Sequence, residues 1–358
     1  MKDYKQSLKY YSPSTIALDE MLEACTQAKH SIQVEEFVLI EDEVGEKFIN
    51  VFEERAKAGI GVQLLLDGWG SKELLNSQRL KKMKKAGVKV AFYRPFKWWK
   101  PWEILPRDHR KIFIIDEESA FIGGVCLYDE VKYWHDMMVK VSLPLAAQFT
   151  YIFSQSWKQI EQLGEIEISS HPEFETNDSL SIYANSPETE DHDFTDKLLE
   201  KIDSSQQSIQ LVSPYFTPSR KVIRALKKAL NRGIDVKIFL SNKLDKAPPY
   251  YVAKQLSGTL INMGAKIYYY QPNVIHLKAM VIDDSWAAMG SCNLDGLSIH
   301  HNREAMLIGT EHSFVERILE EFSIVQNDSL RFSYEDWQAR PISQIILGNL
   351  LKPLRNYL

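Results

Sequence analysis

Two stretches of this chain read alike: HRKIFIIDEESAFIGG at 109–124 and HLKAMVIDDSWAAMGS at 276–291. Each runs His-x-Lys, four residues, Asp, six residues, then Gly-Gly or Gly-Ser. Working outward from them, the likeness continues. AKHSIQVEEFVLI (28–40) parallels SQQSIQLVSPYF (205–216), each a short β-type run after a polar stretch. Amphipathic helices follow, one with Phe48, Ile49, Val51 and Phe52 on a side, the other with Val222, Ile223, Leu226 and Leu230. Each stops at a glycine and enters a strand, AGIGVQLLLD (58–67) against RGIDVKIFLS (232–241). A second helix then ends in AGVKVAFY (86–93) or MGAKIYYY (263–270).

The order strand–helix–strand–helix–strand–strand–strand, used twice, predicts an α/β protein of two similar halves. Each half is expected to be a mixed β-sheet flanked by helices, the two related by a pseudo-twofold axis. The halves are expected at 1–165 and 166–340, with 341–358 as an amphipathic C-terminal tail. The polar, proline-bearing 164–180 is the natural link.

In strand geometry residues i and i+2 share a face, so His109 projects with Lys111 and His276 with Lys278. A lysine beside a histidine suits a dry core poorly, because its charge would be unpaired. It suits a phosphate well: the ammonium supplies charge and the imidazole can attack phosphorus. Two such pairs across one phosphodiester give a nucleophile and a general acid, a chemistry that calls for no metal or cofactor.

With these spacings the chain resembles the phospholipase D superfamily, whose signature is HxK, four residues, D, six residues, GS or GG, x, N. The second copy is complete in His276, Lys278, Asp283, Gly290, Ser291 and Asn293, followed by Asp295, Ser298, Asn302 and Glu304. Within the superfamily it looks most similar to bacterial cardiolipin synthases, through VSPYFTP (212–218), YYYQPNVIHLKAMVIDD and GSCNLDGLSIHHNREAML (290–307). The resemblance implies phosphatidyl transfer through a phosphohistidine, with a phospholipase D-type hydrolase as the alternative and a nuclease of the family after that. It implies His109 as nucleophile and His276 as acid, and non-bridging phosphate oxygens held by Lys111, Lys278, Ser291 and Asn293. The motif aspartates Asp116 and Asp283 join the catalytic motif, though in the family they look structural. A carboxylate is expected to orient each histidine: Asp136 for His109, and Glu304 for His276. The first copy departs from the pattern at Gly123-Gly124-Val125-Cys126, with cysteine where the family usually has asparagine. A thiol cannot replace the amide donor, which leaves open which histidine attacks.

Net charge is −5, yet residues 79–111 hold twelve Lys or Arg against Glu103 and Asp108, a balance of +10 that leaves −15 for the rest. Lys97, Lys100, Arg107, Arg110 and Lys111 lie beyond the basic helix and suit an anionic phosphate or membrane surface. The acidic remainder argues against a nucleic-acid partner. No run of 18 apolar residues predicts a span, the N-terminus lacks an apolar signal core, and three cysteines suit a reducing cytoplasm. The expected partner is a phospholipid, phosphatidylglycerol by the resemblance, met peripherally at the inner face of the cell membrane.

The first half also carries an insertion. Gly87 to His109 spans 22 residues where Gly264 to His276 spans 12. The extra segment holds much of FKWWKPWEILPRDH, and Trp98, Trp99 and Trp102 interleaved with lysine are what an interfacial loop needs. In the tail, Ile342, Ile345, Ile346 and Leu350 stand at helical spacing with Lys352 and Arg355 after them, which fits either an interfacial helix or one docked on its own domain.

Overall fold

The computed structural model describes residues 7–99, 105–161, 179–187, 193–243 and 247–357. Trp102, Lys100 and nearly all of the expected link at 164–180 lie outside them. The chain divides into two compact units, Met1–Ala184 with Arg303–Ala305, and Asn185–Asn302 with Met306–Leu358. The division falls later than the expected 165/166, and the three residues around Glu304 group with the first unit.

In chain order the strands are β1 (Leu8–Tyr11), β2 (Ser31–Glu36), β3 (Gly61–Asp67), β4 (Lys89–Tyr93), β5 (Ile112–Ile115), β6 (Ser119–Gly123), β7 (Met138–Ser142), β8 (Leu180–Asn185), β9 (Ser208–Val212), β10 (Asp235–Ser241), β11 (Lys266–Tyr270), β12 (Ala279–Ile282), β13 (Trp286–Gly290), β14 (Glu304–Gly309) and β15 (Ser329–Phe332). One sheet runs β1-β7-β6-β5-β2-β3-β4, the other β15-β11-β10-β9-β12-β13-β14-β8. Setting aside the edge strands β1, β8 and β15, the two orders are the same. In each, three strands are parallel and the hairpin after the motif is antiparallel, so both sheets are mixed.

Local sequence explains the repetition. Helices Glu43–Lys57, Gln78–Lys85 and Arg220–Asn231 are N-capped by Asp42, Ser77 and Ser219, whose oxygens accept a backbone N–H three residues on. The glycines after the paired helices, Gly59, Gly87, Gly233 and Gly264, all take φ between 86° and 102°, where a side chain would be strained. Motif strands β5 (IFII) and β12 (AMVI) are wholly buried, as the central strand of a sheet covered on both faces must be.

The tail is part of the second unit rather than a separate element. Helix Ile342–Leu351 lies on helix Ala247–Ile261, and Gly348 comes so close that an added Cβ would stand 2.9 Å from Tyr251 O. Ile345 faces that contact, while Ile342, Ile346 and Leu350 face outward.

Candidate active-site residues

In the first unit His109 sits just ahead of β5, and the strip Arg303–Ala305 lies alongside it. His109 N donates to Arg303 O (3.0 Å) and Arg303 N to Arg107 O (2.8 Å). That pairing carries Glu304 to the histidine. Its carboxylate oxygens stand 3.0 and 3.1 Å from His109 Nδ1, with both residues buried. A buried carboxylate on one ring nitrogen fixes the proton there and puts the lone pair on the other, Nε2. This corrects the expected pairing: Glu304 serves His109, a place given from sequence spacing to Asp136.

A buried ionic frame holds the strip. Arg110 Nη1 meets Glu35 (3.2 Å) and donates to Ser156 (3.0 Å), and its Nε donates to Glu304 O (3.3 Å). Arg303 pairs with Asp108 (3.7 Å) and Gln159, and its guanidinium lies over the Tyr93 ring. Arg107 pairs with Asp67 (3.6 Å), whose other oxygen accepts Asp108 N. Burial, reinforced by the Glu35 carboxylate, holds Asp108 well above the usual carboxylate range, against the pull of Arg303 and Arg110. Arg107 and Arg110, expected from composition to face an anionic ligand, therefore serve internal ion pairs.

Lys111 is fully buried. Its Nζ donates to His109 O (2.6 Å) and lies 5.1 Å over the Phe37 ring, whose edge also meets the His109 ring at 5.0 Å. The β2–β5 register ends at Glu35 opposite Ile112, so Glu36 falls one step on, level with Lys111. Burial raises the Glu36 carboxyl from its usual 4.5 to about 7, tempered by Lys111, the Phe37 and Val38 amides and the Cys126 thiol. Cys126, standing where an amide donor was expected, thus turns its thiol toward Glu36. Next to it, a Cβ on Gly124 would meet Asp136 Oδ2 at 2.3 Å, so the glycine admits that carboxylate.

In the second unit His276 and Lys278 precede β12 in the same way, and Lys278 Nζ donates to His276 O (2.5 Å) as Lys111 does to His109 O, but the histidine ring meets a different group. Lys278 Nζ stands 2.8 Å from His276 Nδ1. An ammonium can only donate, so in this contact Nδ1 is the acceptor, which favours the tautomer with its proton on Nε2. The residue level with Lys278 is Ser213, by the β9–β12 register. Ser213 accepts Leu294 N (3.1 Å) and so fixes the loop that bears Ser291 and Asn293, both buried. Asp295 caps the short helix Gly296–His300 by accepting Ser298 N.

The motif aspartates do not join this chemistry. Asp116 follows β5 at its far end from His109, roughly 20 Å away at strand rise. There it accepts the amides of Lys29, His30 and Ser31, at the start of β2. Asp283 repeats this on Gln206, Gln207 and Ser208. Burial raises each carboxyl, but the three amide donors outweigh it and leave both below the usual range. Their φ values of 55° and 53° place them in the left-handed region, which Asp tolerates. Grouping them with the catalytic residues is corrected: they tie hairpin to strand. Sequence spacing missed Glu35, Glu36, Phe37, Asp108 and Arg303. The acidic doublet EEF, closing the strand SIQVEE where polar and apolar residues had alternated, was the one available signal.

On the surface of the first unit, Trp98 (77% exposed) and Trp99 (57%) meet edge to face, with Phe96 against Trp69 and Lys72 Nζ over the Trp69 ring. Among the described residues no helix is long and apolar enough to cross a membrane, and Cys25, Cys126 and Cys292 are not joined in disulfides.

A family model described as "Cardiolipin synthase, PLD-like domain" matches residues 21–157 and 198–325. The chain is similar to a cardiolipin synthase from Geobacillus kaustophilus, 31% identical over 349 residues, covering 92% of this chain and 68% of that protein. It is likewise similar to cardiolipin synthase 1 from Bacillus cereus, 28% identical over 353 residues, covering 93% and 69%. Its fold matches the crystal structure of phosphatidylserine synthase from Haemophilus influenzae, with a TM-score of 0.78 at 15% identity over 98% and 95% of the two chains.

Proposed function

The chain belongs to the cardiolipin synthase, PLD-like domain family, and from that premise we propose that it is a phosphatidyltransferase working through a phosphohistidine on His109. His109 Nε2 attacks the phosphorus of a phospholipid phosphodiester, forming the P–N bond. The P–O bond to the headgroup alcohol breaks, and His276 Nε2–H gives its proton to the departing oxygen. Lys111, Lys278, Ser291 and Asn293 hold the non-bridging oxygens. In the second step the hydroxyl of a second alcohol, the headgroup of phosphatidylglycerol, gives its proton to His276 and attacks phosphorus. The P–N bond breaks and His109 is restored, with cardiolipin as product. Water in place of that alcohol gives hydrolysis.

The observation that carries this reading is the Glu304 carboxylate on His109 Nδ1. It sets the nucleophile's lone pair on Nε2 and stabilises the ring once phosphorylation makes it cationic. The Lys278 ammonium on His276 Nδ1 supports the complementary tautomer, an acid with its proton on Nε2.

The lipid is met at an anionic bilayer surface, on the inner face of the cell membrane. Exposed Trp98 and Trp99 beside Lys97, with Trp69 and Lys72, support a membrane lip on the first unit, to which Trp102 belongs by sequence. Trp98→Ala with Trp99→Ala weakens sedimentation with phosphatidylglycerol vesicles and leaves the thermal transition unchanged. Thin-layer analysis of lipids from phosphatidylglycerol vesicles tests the whole reading. Cardiolipin and glycerol are expected, both lost in His109→Ala and His276→Ala. Absence of new lipid, or formation independent of both histidines, overturns it.

A further inference from the structure

The helix Ile342–Leu351 is apolar on two faces, and only one is used. Gln344, Ile345, Gly348 and Leu351 turn toward helix Ala247–Ile261. On the outer side Ile342 (75% exposed), Ile346 (52%) and Leu350 (67%) recur every four residues, within an arc of about 80°. Leu354 and Tyr357, in the 3₁₀ turn Lys352–Tyr357, prolong the exposed ridge. A two-turn stripe of bare isoleucine and leucine is not needed to hold this helix, because the docking face already does so.

Beyond Asp336, at the C-terminal end of the ridge, the charge has one sign. No acidic residue follows Asp336 in the sequence, whereas Lys352 is exposed and Arg355 half-buried. Arg355 lies near Arg220, the first residue of helix Arg220–Asn231, and burial together with that neighbouring cation pushes it below its usual value. Arg220, Lys221 and Arg224 are exposed on that helix, and no acidic residue occurs between Asp203 and Asp235. Like charges gathered beside an apolar ridge would repel a second copy of the same surface. They complement anionic headgroups. At ten residues the helix is about 15 Å long, half of what crossing a hydrocarbon core requires.

The ridge is tied to the second motif. The 3₁₀ turn packs on helix Gly296–His300, which follows Asn293 and Asp295 directly, and Tyr357 stacks on His301 at 5.7 Å with 12° between the rings. We infer that the outer face of Ile342–Leu351 lies in the interfacial layer of an anionic lipid bilayer and seats the second-motif loop against it. Ile342, Ile346 and Leu350 enter the acyl boundary, with Lys352, Arg355 and Arg220 at headgroup level. The inference rests on the reading of the substrate as a lipid, but its test measures partition rather than turnover.

Ile346→Ser with Leu350→Ser alters only exposed side chains. The full chain and this variant are floated with vesicles of phosphatidylcholine plus phosphatidylglycerol, and with phosphatidylcholine alone. The wild type is expected to bind the anionic vesicles, the variant about thirtyfold more weakly, with the same thermal transition and elution volume. Ile345→Ser, on the docked face, is expected instead to lower the thermal transition. Equal partition of variant and wild type overturns the inference. So does a wild-type oligomer that the variant dissolves, since the ridge would then be a protein interface, and so does a variant that melts early. Vesicle binding without cardiolipin formation would sink the proposed activity alone. Turnover with partition indifferent to the ridge would sink only this inference.

Discussion

In the first unit the motif histidine gives its Nδ1 to a carboxylate, Glu304, while in the second the same ring nitrogen meets an ammonium, Lys278 Nζ. Lys111 stands level with Glu36, and Lys278 with Ser213. Gly124 and Cys126 occupy the places that Ser291 and Asn293 hold in the second copy. A side chain at 124 would collide with Asp136, so the first copy forgoes the hydroxyl donor that Ser291 offers. The repeated frame is the same in both units, with the same strand order and the same aspartate knots. What differs is the group that meets Nδ1, and with it the tautomer each contact favours: a lone pair on Nε2 in one copy, and a proton on Nε2 in the other. On the proposed reading the duplicated motif acquires two roles in this way, one set by Glu304 from beyond the His-x-Lys core and the other by the motif's own Lys278.

The largest effect that could break this comparison comes from the histidines. His109→Ala is expected to lower phosphatidyl transfer by about 10⁴-fold or more, for every substrate. His276→Ala should cost about 10³-fold with a lipid alcohol leaving, and with a p-nitrophenyl phosphodiester, whose leaving group needs no proton, the first step should recover as a burst of p-nitrophenolate while the second, which still lacks its base, stays slow. Identical responses in steady-state assays would erase the asymmetry. Next, Glu304→Gln keeps the shape and removes the charge, and kcat should fall about 10²-fold or more with KM little changed. His276-dependent proton donation, read from the leaving-group series, should be unaffected.

The aspartates sharpen the comparison from the side where the units agree. Asp116→Ala and Asp283→Ala each leave three amides without their acceptor, and each should cost about 2 kcal/mol in denaturant unfolding while kcat at low temperature persists. Their folded pKa lies below the unfolded value, so the stability they contribute is present above that value and is lost as pH falls through the folded one. The last test is at Glu36. Its folded pKa of about 7 lies above the unfolded 4.5, so the unfolded chain loses the proton first. Stability therefore declines between pH 4.5 and about 7 and levels off above. Glu36→Gln should remove that decline from a pH series of thermal melts.

Much of this was legible in the sequence, because a repeat shows itself twice. The glycine stops, the strand order and both His-x-Lys pairs could be read from periodicity and spacing. Partnership could not. Glu304 follows His276 by 28 residues, yet its strip is hydrogen-bonded along Arg107–His109, a pairing that distance along the chain does not encode. Composition also misled about Arg107 and Arg110, since a count of cations does not say which carboxylates they meet after burial. The exposed ridge of Ile342–Leu351 was half-read: helical spacing gave the apolar positions, but only packing told Ile345 from Ile346.

The central claim, that the two copies have different jobs, is tested most directly by finding the phosphorylated residue. The enzyme is quenched under alkaline conditions during turnover of phosphatidylglycerol, digested, and the modified peptide mapped by mass spectrometry. The account predicts phosphatidyl on His109, accumulating further in His276→Ala with its p-nitrophenyl substrate. Modification at His276, or at neither histidine while product forms, would contradict it.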